Sequence, residues 1–560
     1  MLRANAASVI EHYALSNRRL RIKISVIDSC RVDKEEREYH PRWTHDDVSA
    51  QSTARVDPRE ASAEFWRREA QDALSERLAR APNTRVAKNV VMFLGDGLSV
   101  PTLAAARTYQ GQLEGRTGEE EFLSFERFPT VGLSKTYCVN YQVPDSACTA
   151  TAYLCGVKNN YGTIGVTAQV PRRDCAASTD NSTHLSSIAE WALNAGKDAG
   201  IVTTTRITHA SPAGAFARVA NRNWENDAEV LVDNADPLVC RDIAHQLVHE
   251  YPGNRFKVIL GGGRRNFRNE TVRDEENSRG RRHDGRDLIE EWQEERRRRN
   301  ENHAYVWNRQ GLLSVPLDET DYLLGLFESN HMQYHLQADS ESEPTLEELT
   351  EAAIRILSKN PEGFFLFVEG GRIDHAHHDN FARMALDETV EFSKAVQRAA
   401  ELLSEEDSLL VVTADHAHVM SINGYSRRGR DILGLSDDRD EHGVPFMTLS
   451  YTNGPGFRSH TAAGSRPDLS GEDLTHEEWR SHVDVPLDSE THGGDDVAVF
   501  ARGPHHHLFT GLYEQSQLPH LMAYASCVGP GLTVCSTDGA STTAPALIAL
   551  LLVMLPFMRL

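Results

Sequence analysis

Residues 364–380 read FFLFVEGGRIDHAHHDN, and the change of character inside this stretch decides how the chain is organised. Residues 364–368 form a continuous apolar run, short and aromatic, which predicts a strand buried on both faces of a sheet. Glu369 stands at its carboxyl end, two glycines follow, and Asp374, His375, His377 and His378 come directly after. Carboxylate and imidazole at this density are the oxygen and nitrogen donors of a divalent-metal site. Asp374 and His378, four apart, can be aimed at one ion by a single helical turn or a tight loop. A solvated polar loop has the same composition, so one occurrence decides nothing.

The pattern recurs. Residues 89–94 (NVVMFL) are a second buried-strand run, ending in Gly95, Asp96 and Gly97. Gly-Asp-Gly alone is a turn signal, but ligands of open parallel sheets bind just outside the carboxyl ends of strands, which makes Asp96 a candidate ligand. Residues 409–413 are apolar and run into Asp415, His416 and His418. Three separated strands ending in metal-type residues make coincidence a poor explanation.

Other stretches supply partners. In 143–156 (VPDSACTATAYLCG), Ser146 precedes a small-residue helix; either it or Asp145 is a helix cap, or Ser146 is a nucleophile placed where the helix dipole and backbone N–H groups favour an oxyanion and bind phosphate. A strand at 200–205 is followed by His209 and Ser211, with Arg222 downstream, suited either to bidentate capture of a phosphoryl group or to a surface ion pair. His492 sits in a Gly-flanked loop before another apolar run, 497–500.

Strands at 89–94, 200–205, 256–260, 364–368, 409–413 and 497–500 alternate with predicted helices, among them 62–78, 345–359 with Thr345 and Glu348 as a capping box, and 381–403. This predicts an α/β fold: a large, mostly parallel central sheet flanked by helices on both faces. Periodicity fades at 424–490, consistent with an inserted smaller subdomain. The basic run 296–299 follows two glutamates on a helix and reads as a solvated face. The helix at 62–78 reads as amphipathic, for packing or a subunit contact.

The 560 residues carry a net charge of −23, which argues against nucleic acid as a partner. An anionic small substrate stays open, because bound cations override the global field locally. Residues 544–558 are apolar but contain Pro556 and fall short of the roughly 20 residues a spanning helix needs. Preceded by small residues around Asp538, Gly539 and Ala540, they look like a glycosylphosphatidylinositol anchor signal. No secretory h-region is visible at the start. Since an anchor signal presupposes secretion, residues 1 to about 40 are expected not to be the true amino terminus. The chain then divides into a segment 1–61 outside the mature fold, a folded domain 62–535 and an anchor signal 536–560.

In order along the chain, FLGDG, PDSA, TTTR with HASPAG, NRNW, FVEGGRIDHAHH, TADHAH and ETHGGDDVAVF resemble animal alkaline phosphatases of the membrane-bound type, over most of the length from Glu64 to Cys535. The resemblance implies hydrolysis of phosphate monoesters through a phosphoserine on Ser146, with Arg222 holding the phosphate. It implies two zinc ions and one magnesium ion per chain. The first zinc would be held by Asp374, His378 and His492; the second by Asp96, Ser146, Asp415 and His416; the magnesium by Asp96, Ser211 and Glu369. His209 and His375 would orient ligands or water. A calcium site away from the catalysis would take Glu276, Phe327 through its carbonyl, Glu328 and Glu343, although the loop after Glu276 is shorter than the family's, and Glu343 stands where the family usually has aspartate.

The resemblance further implies disulfides Cys175–Cys240 and Cys527–Cys535, a homodimer, and the extracellular face of the plasma membrane, with only the lipid anchor touching the bilayer. Asn181 and Asn269 open glycosylation sequons. Cys138 and Cys148 depart from the family, which has glycine in vertebrate members where Cys148 stands; the two either pair or remain buried thiols. Cys155 reads as a buried free thiol. A sulfatase needs Pro-x-Arg after the nucleophile, which Ala147 to Ala150 do not provide. A binding protein that had lost catalysis would lack a ligand, and every ligand of the three catalytic metals is present.

Overall fold

The computed structural model describes residues 56–537 apart from Ala463. The expected anchor signal, 536–560, lies outside the described residues from Asp538 onward, as do residues 1–55. Among those described, no helix is long and apolar enough to cross a membrane.

The centre is a mixed sheet of ten strands. Its first eight in chain order are β1 (Asn89–Gly95), β2 (Thr130–Lys135), β3 (Asp198–Arg206), β4 (Val258–Gly262), β5 (His303–Val306), β6 (Tyr322–Leu326), β7 (Phe364–Gly370) and β8 (Ser408–Ala414); Val497–Arg502 and Gly511–Glu514 complete it. The spatial order is Gly511–Glu514, β2, Val497–Arg502, β8, β1, β7, β3, β4, β6, β5. From β8 to β5 every pairing is parallel, and Val497–Arg502 runs antiparallel to both its neighbours.

Alternation along β1 shows why the central strands are continuously apolar. Val90, Met92 and Leu94 point into one core, whereas Val91 and Phe93 point into the other. Helices cover both faces, so neither set meets water. On one side the helices Leu346–Leu357 and Ala382–Leu402 bury their apolar stripes, the first opened by the Thr345–Glu348 capping box. On the other side lies the helix Ser146–Cys155, every residue of which is buried.

Parallel register aligns the carboxyl ends of β1, β7 and β8. Gly95 sits opposite Gly370 and Ala414, and Leu94 opposite Glu369 and Thr413. The residues that follow these ends therefore emerge side by side. Within 417–493 the strands Met420–Ile422, Leu449–Gly454 and Val483–Pro486 pair among themselves, as do Leu435–Arg439 and Pro445–Met447, outside the large sheet.

The helix Ala63–Ala79 forms, capped by Ser62, and buries none of its residues; Trp66 and Leu78 stand exposed, which overturns the packing alternative within the described residues and leaves the subunit-contact one. The solvated reading of the basic run also needs correction. Of the basic run, Arg296 is not solvated but fully buried, its guanidinium 4.1 Å from the Tyr322 ring centroid and ion-paired at 2.8 Å with Glu301. The guanidinium also lies 5.6 Å from the Trp292 ring centroid, an aromatic enclosure that a charge count cannot reveal.

Candidate metal centre and active site

Each predicted ligand stands where a strand or short helix delivers it. Asp96 follows β1, Glu369 lies within β7 near its end, and Asp415 and His416 follow β8. Asp374 and His378 lie on the helix Arg372–His378, one turn apart. His492 pairs in register with His418 across a two-stranded ladder, which pulls the loop before Val497–Arg502 over the strand ends.

The arrangement of His378 and His492 is diagnostic. Their Nε2 atoms are 3.0 Å apart. The Nδ1 of His378 lies 2.6 Å from the carbonyl of Glu490, and that of His492 lies 2.8 Å from the carbonyl of Pro144. A carbonyl only accepts, so each Nδ1 is the donor and Nε2 is the nitrogen that the neutral form of each ring offers as a ligand. Both lone pairs face Oδ1 of Asp374, at 3.4 and 3.3 Å. Three acceptors aimed at one point repel one another unless a cation lies between them.

The neighbouring cluster fits a cation for a related reason. Asp96 Oδ1, Asp415 Oδ2 and Glu369 Oε1 are buried without a hydrogen-bond partner among the described residues. The other oxygens are satisfied: Asp415 Oδ1 accepts from the N–H of Gly97 at 2.9 Å, Asp96 Oδ2 from Ser211 at 3.3 Å, and Glu369 Oε2 from Thr203 and Thr205. Buried polar atoms are rarely left orphaned, and here three carboxylates each keep one oxygen free. His416 Nε2 lies 3.1 Å from Asp415 Oδ2, 3.5 Å from Asp96 Oδ1 and 3.3 Å from Ser146 Oγ. Burial, reinforced by Asp415, Asp374 and Glu369, pushes the Asp96 carboxyl well above the carboxylate range. Burial likewise pushes Glu369 up to about 7. Bound divalent cations reverse that balance and hold all these groups ionised.

Ser146 opens its helix, with Asp145 as the cap accepting from the N–H of Cys148 at 3.3 Å. The two readings of this motif are therefore divided between adjacent residues: Asp145 caps, and Ser146 points its hydroxyl at the cluster. Arg222 donates to Asp145 Oδ2 at 3.0 Å and lies 3.1 Å from Nε2 of His209. The His209 ring is 5.6 Å from that of His375, whose Nδ1 is 2.9 Å from Arg372.

Two residues outside the implied ligand sets belong here: His418, read from the sequence only as a metal-type residue after its strand, and Glu490, given no role. His418 Nε2 meets Asp374 Oδ1 at 2.8 Å, and its Nδ1 meets Glu490 Oε2 at 2.5 Å. Glu490 also accepts from the N–H of Val419 at 2.8 Å. The signals were a His two beyond His416 and a Glu two before His492. His377 is turned away, held by Thr102 and Tyr451.

The calcium set is arranged differently. Glu276 is engaged by Arg264, Glu343 accepts from the N–H of Gln333 at 2.8 Å, and Glu328 accepts from the Gln333 side chain at 3.4 Å. Burial pushes the Glu343 carboxyl up to about 8, with Glu328 and Glu276 adding to the effect. Phe327, the residue after β6, donates its N–H to the carbonyl of Gly261. Asn181 is exposed, and Asn269 accepts from Thr271 within its own sequon. Cys175 pairs with Cys240, Cys527 with Cys535, and Cys138 with Cys148, while Cys155 is a buried free thiol.

A family model for alkaline phosphatase matches residues 87–528, a span that contains the whole cluster. The chain belongs to the alkaline phosphatase family. It is 60% identical over 520 residues to the membrane-bound alkaline phosphatase of Bombyx mori, covering 92% of this chain and 94% of that one. It is 47% identical over 509 residues to the human tissue-nonspecific isozyme, covering 89% and 95%. The alkaline phosphatase of Thermus thermophilus shares the fold, with a TM-score of 0.57 at 24% identity over 82% of this chain and 96% of that one. The chain is thus an alkaline phosphatase, a metal-dependent hydrolase of phosphate monoesters.

Proposed function

We propose that hydrolysis proceeds through a covalent phosphoserine on Ser146, in a site that holds two zinc ions and one magnesium ion. The observation that carries this reading is the set of orphaned buried oxygens on Asp96, Asp415 and Glu369 beside the facing Nε2 lone pairs of His378 and His492. Asp374, His378 and His492 hold one zinc. Asp96, Asp415, His416 and the Ser146 oxygen hold the other. Asp96, Ser211 and Glu369 hold magnesium.

When bound, the cations supply Lewis acidity and offset the charge of the transferred phosphoryl group. Ser146 Oγ attacks phosphorus in line, forming the phosphoserine as the bond to the alcohol oxygen breaks on the opposite face; water then attacks from the face the alcohol left, breaking the bond to Ser146 Oγ and releasing inorganic phosphate and the serine hydroxyl. Arg222, steadied by Asp145, presents its guanidinium to two phosphoryl oxygens. The amino terminus of the helix Ser146–Cys155 adds backbone donors to the same charge. His209 and His375 line the magnesium side and orient ligands or water there. The need for such a site follows from the reaction: enzymes accelerate phosphate monoester hydrolysis by up to ~10²¹-fold, and acid–base help alone supplies about 10²–10⁴.

A calcium ion at Glu276, Phe327, Glu328 and Glu343, a homodimer, glycans on Asn181 and Asn269, and a lipid anchor holding the enzyme on the outer face of the plasma membrane complete the proposal. The name of the Bombyx mori relative as membrane-bound favours the anchor. Acid-quench trapping of phosphate on Ser146, run beside steady-state turnover of a chromogenic phosphomonoester, tests the intermediate. Label on Ser146 at a turnover-competent rate is expected, and turnover without label overturns it.

A further inference from the structure

Cys138 and Cys148 are joined across a separation of 10 residues, and the segment they close is where the active site is anchored. After Cys138 the chain forms an arch, residues 139–143, exposed throughout, and then turns inward at Pro144, Asp145 and Ser146, all buried. The three inward residues carry three separate duties. The Pro144 carbonyl fixes the tautomer of His492 through Nδ1 at 2.8 Å. Asp145 holds Arg222 through Oδ2 at 3.0 Å, while its Oδ1 accepts from the N–H groups of Gly162 at 3.0 Å and Cys148 at 3.3 Å. Ser146 carries the hydroxyl.

We propose that the Cys138–Cys148 disulfide is a positioning element of the active site: it clamps the exposed arch against the first turn of the nucleophile helix and so sets Pro144 and Asp145, and through them His492 and Arg222. A stability staple fits the pair less well. In the chain-entropy account a crosslink gains more as the loop it closes lengthens, and here the separation is 10 residues against 65 for Cys175–Cys240. Among the described residues, the arch is also tied to the body by the N–H of Val139 to the carbonyl of Asn159, by the N–H of Tyr161 to the Asn140 side chain, and by the Tyr141 ring, 4.6 Å from that of Tyr161, all of them before Gln142 and Val143. Both cysteines are only 2% exposed, so the clamp lies beneath the arch, beside the groups it holds.

This inference rests on the reading of Ser146 and Arg222 given above, which phosphate trapping on Ser146 tests separately. The clamp is tested on the full, metal-loaded enzyme by comparing wild type with Cys138→Ser/Cys148→Ser and with Cys175→Ser/Cys240→Ser. The measurements are kcat per phosphate-trapping site, Ki for inorganic phosphate and Tm. Loss of the Cys138–Cys148 clamp is expected to raise the phosphate Ki and lower kcat per trapping site, each roughly ten-fold, in molecules that remain folded. Loss of Cys175–Cys240 is expected to lower Tm and leave both constants within two-fold. A second measurement serves if the double variant does not fold: wild type is treated natively with a trialkylphosphine, which takes oxygen from water to become the phosphine oxide while the disulfide gains two electrons and two protons and becomes two thiols. Alkylation and peptide mapping then report which pair has opened. Phosphate Ki rising in step with alkylation of Cys138 and Cys148 supports the clamp. Unchanged Ki and kcat in folded protein with that pair replaced or opened overturns it.

Discussion

His418 donates through Nε2 to Oδ1 of Asp374 at 2.8 Å, while Glu490 holds the other nitrogen of the same ring at 2.5 Å. The carboxylate that faces the lone pairs of His378 and His492 is thus oriented from behind by a buried pair of its own. Outer partners of this kind set the direction of a metal ligand, and losing one typically costs 10–100-fold in metal affinity or activity. His418→Ala is expected to weaken zinc binding by that order and to make turnover dependent on added zinc. Glu490→Gln, which keeps one of the two acceptor oxygens and loses the charge, is expected to fall between this variant and wild type. Titration of activity against buffered free zinc checks both.

Ser146→Ala removes the hydroxyl pointed at His416 Nε2, 3.3 Å away, without disturbing the helix cap, which Asp145 supplies. Turnover is expected to fall by on the order of 10⁴ or more while Tm stays near wild type, since residues that act as a unit lose most of their effect together. Steady-state kinetics with a chromogenic phosphomonoester and a thermal melt check this.

Arg222→Ala leaves Asp145 buried, capping the helix and without its guanidinium. Charge-assisted hydrogen bonds contribute about 1.5–3 kcal/mol each, so Ki for inorganic phosphate is expected to rise roughly 10–100-fold with metal content unchanged. Arg222→Lys keeps the charge but not the fork and is expected to recover part of the loss.

Much of this was legible because the central strands are covered on both faces. Residues 89–94, 364–368 and 409–413 had to be continuous apolar runs, and the polar residues that end them stand out against that background. What escaped was whatever depends on long-range pairing. β2 alternates buried and exposed residues and carries little hydrophobic signal. The exposed helix Ala63–Ala79 has an apolar spacing that nothing among the described residues covers. His418 and Glu490, seventy-two residues apart, have a role only once the ladder between His418 and His492 is formed. Arg296 reads as solvent-facing because one charge on a helix looks like another until Tyr322 arrives from β6.

Glu343 provides a pH test. Burial raises its folded-state pKa from the ordinary value to about 8. In that window the folded state binds more protons than the unfolded, so stability is fully present below the unfolded value near 4.5 and is lost as pH rises towards about 8, at up to about 1.4 kcal/mol per unit. A cation at the site removes the cost of ionisation. Without calcium, Tm is expected to fall from pH 5 to pH 8. Added calcium should restore it most at the alkaline end, with proton release on binding near pH 7. Glu343→Gln should flatten the metal-free profile. Calorimetric melts across that range, with and without calcium, check the sign.

The facing lone pairs of His378 and His492, and the unpartnered oxygens of Asp96, Asp415 and Glu369, make sense only if cations complete them. The most direct measurement is elemental analysis of the purified enzyme alongside its turnover, before and after chelation and stepwise return of zinc and magnesium. Two zinc and one magnesium per chain are predicted, with activity lost on stripping and regained in proportion to bound zinc. Full turnover from protein holding less than a tenth of an equivalent of zinc would contradict the account.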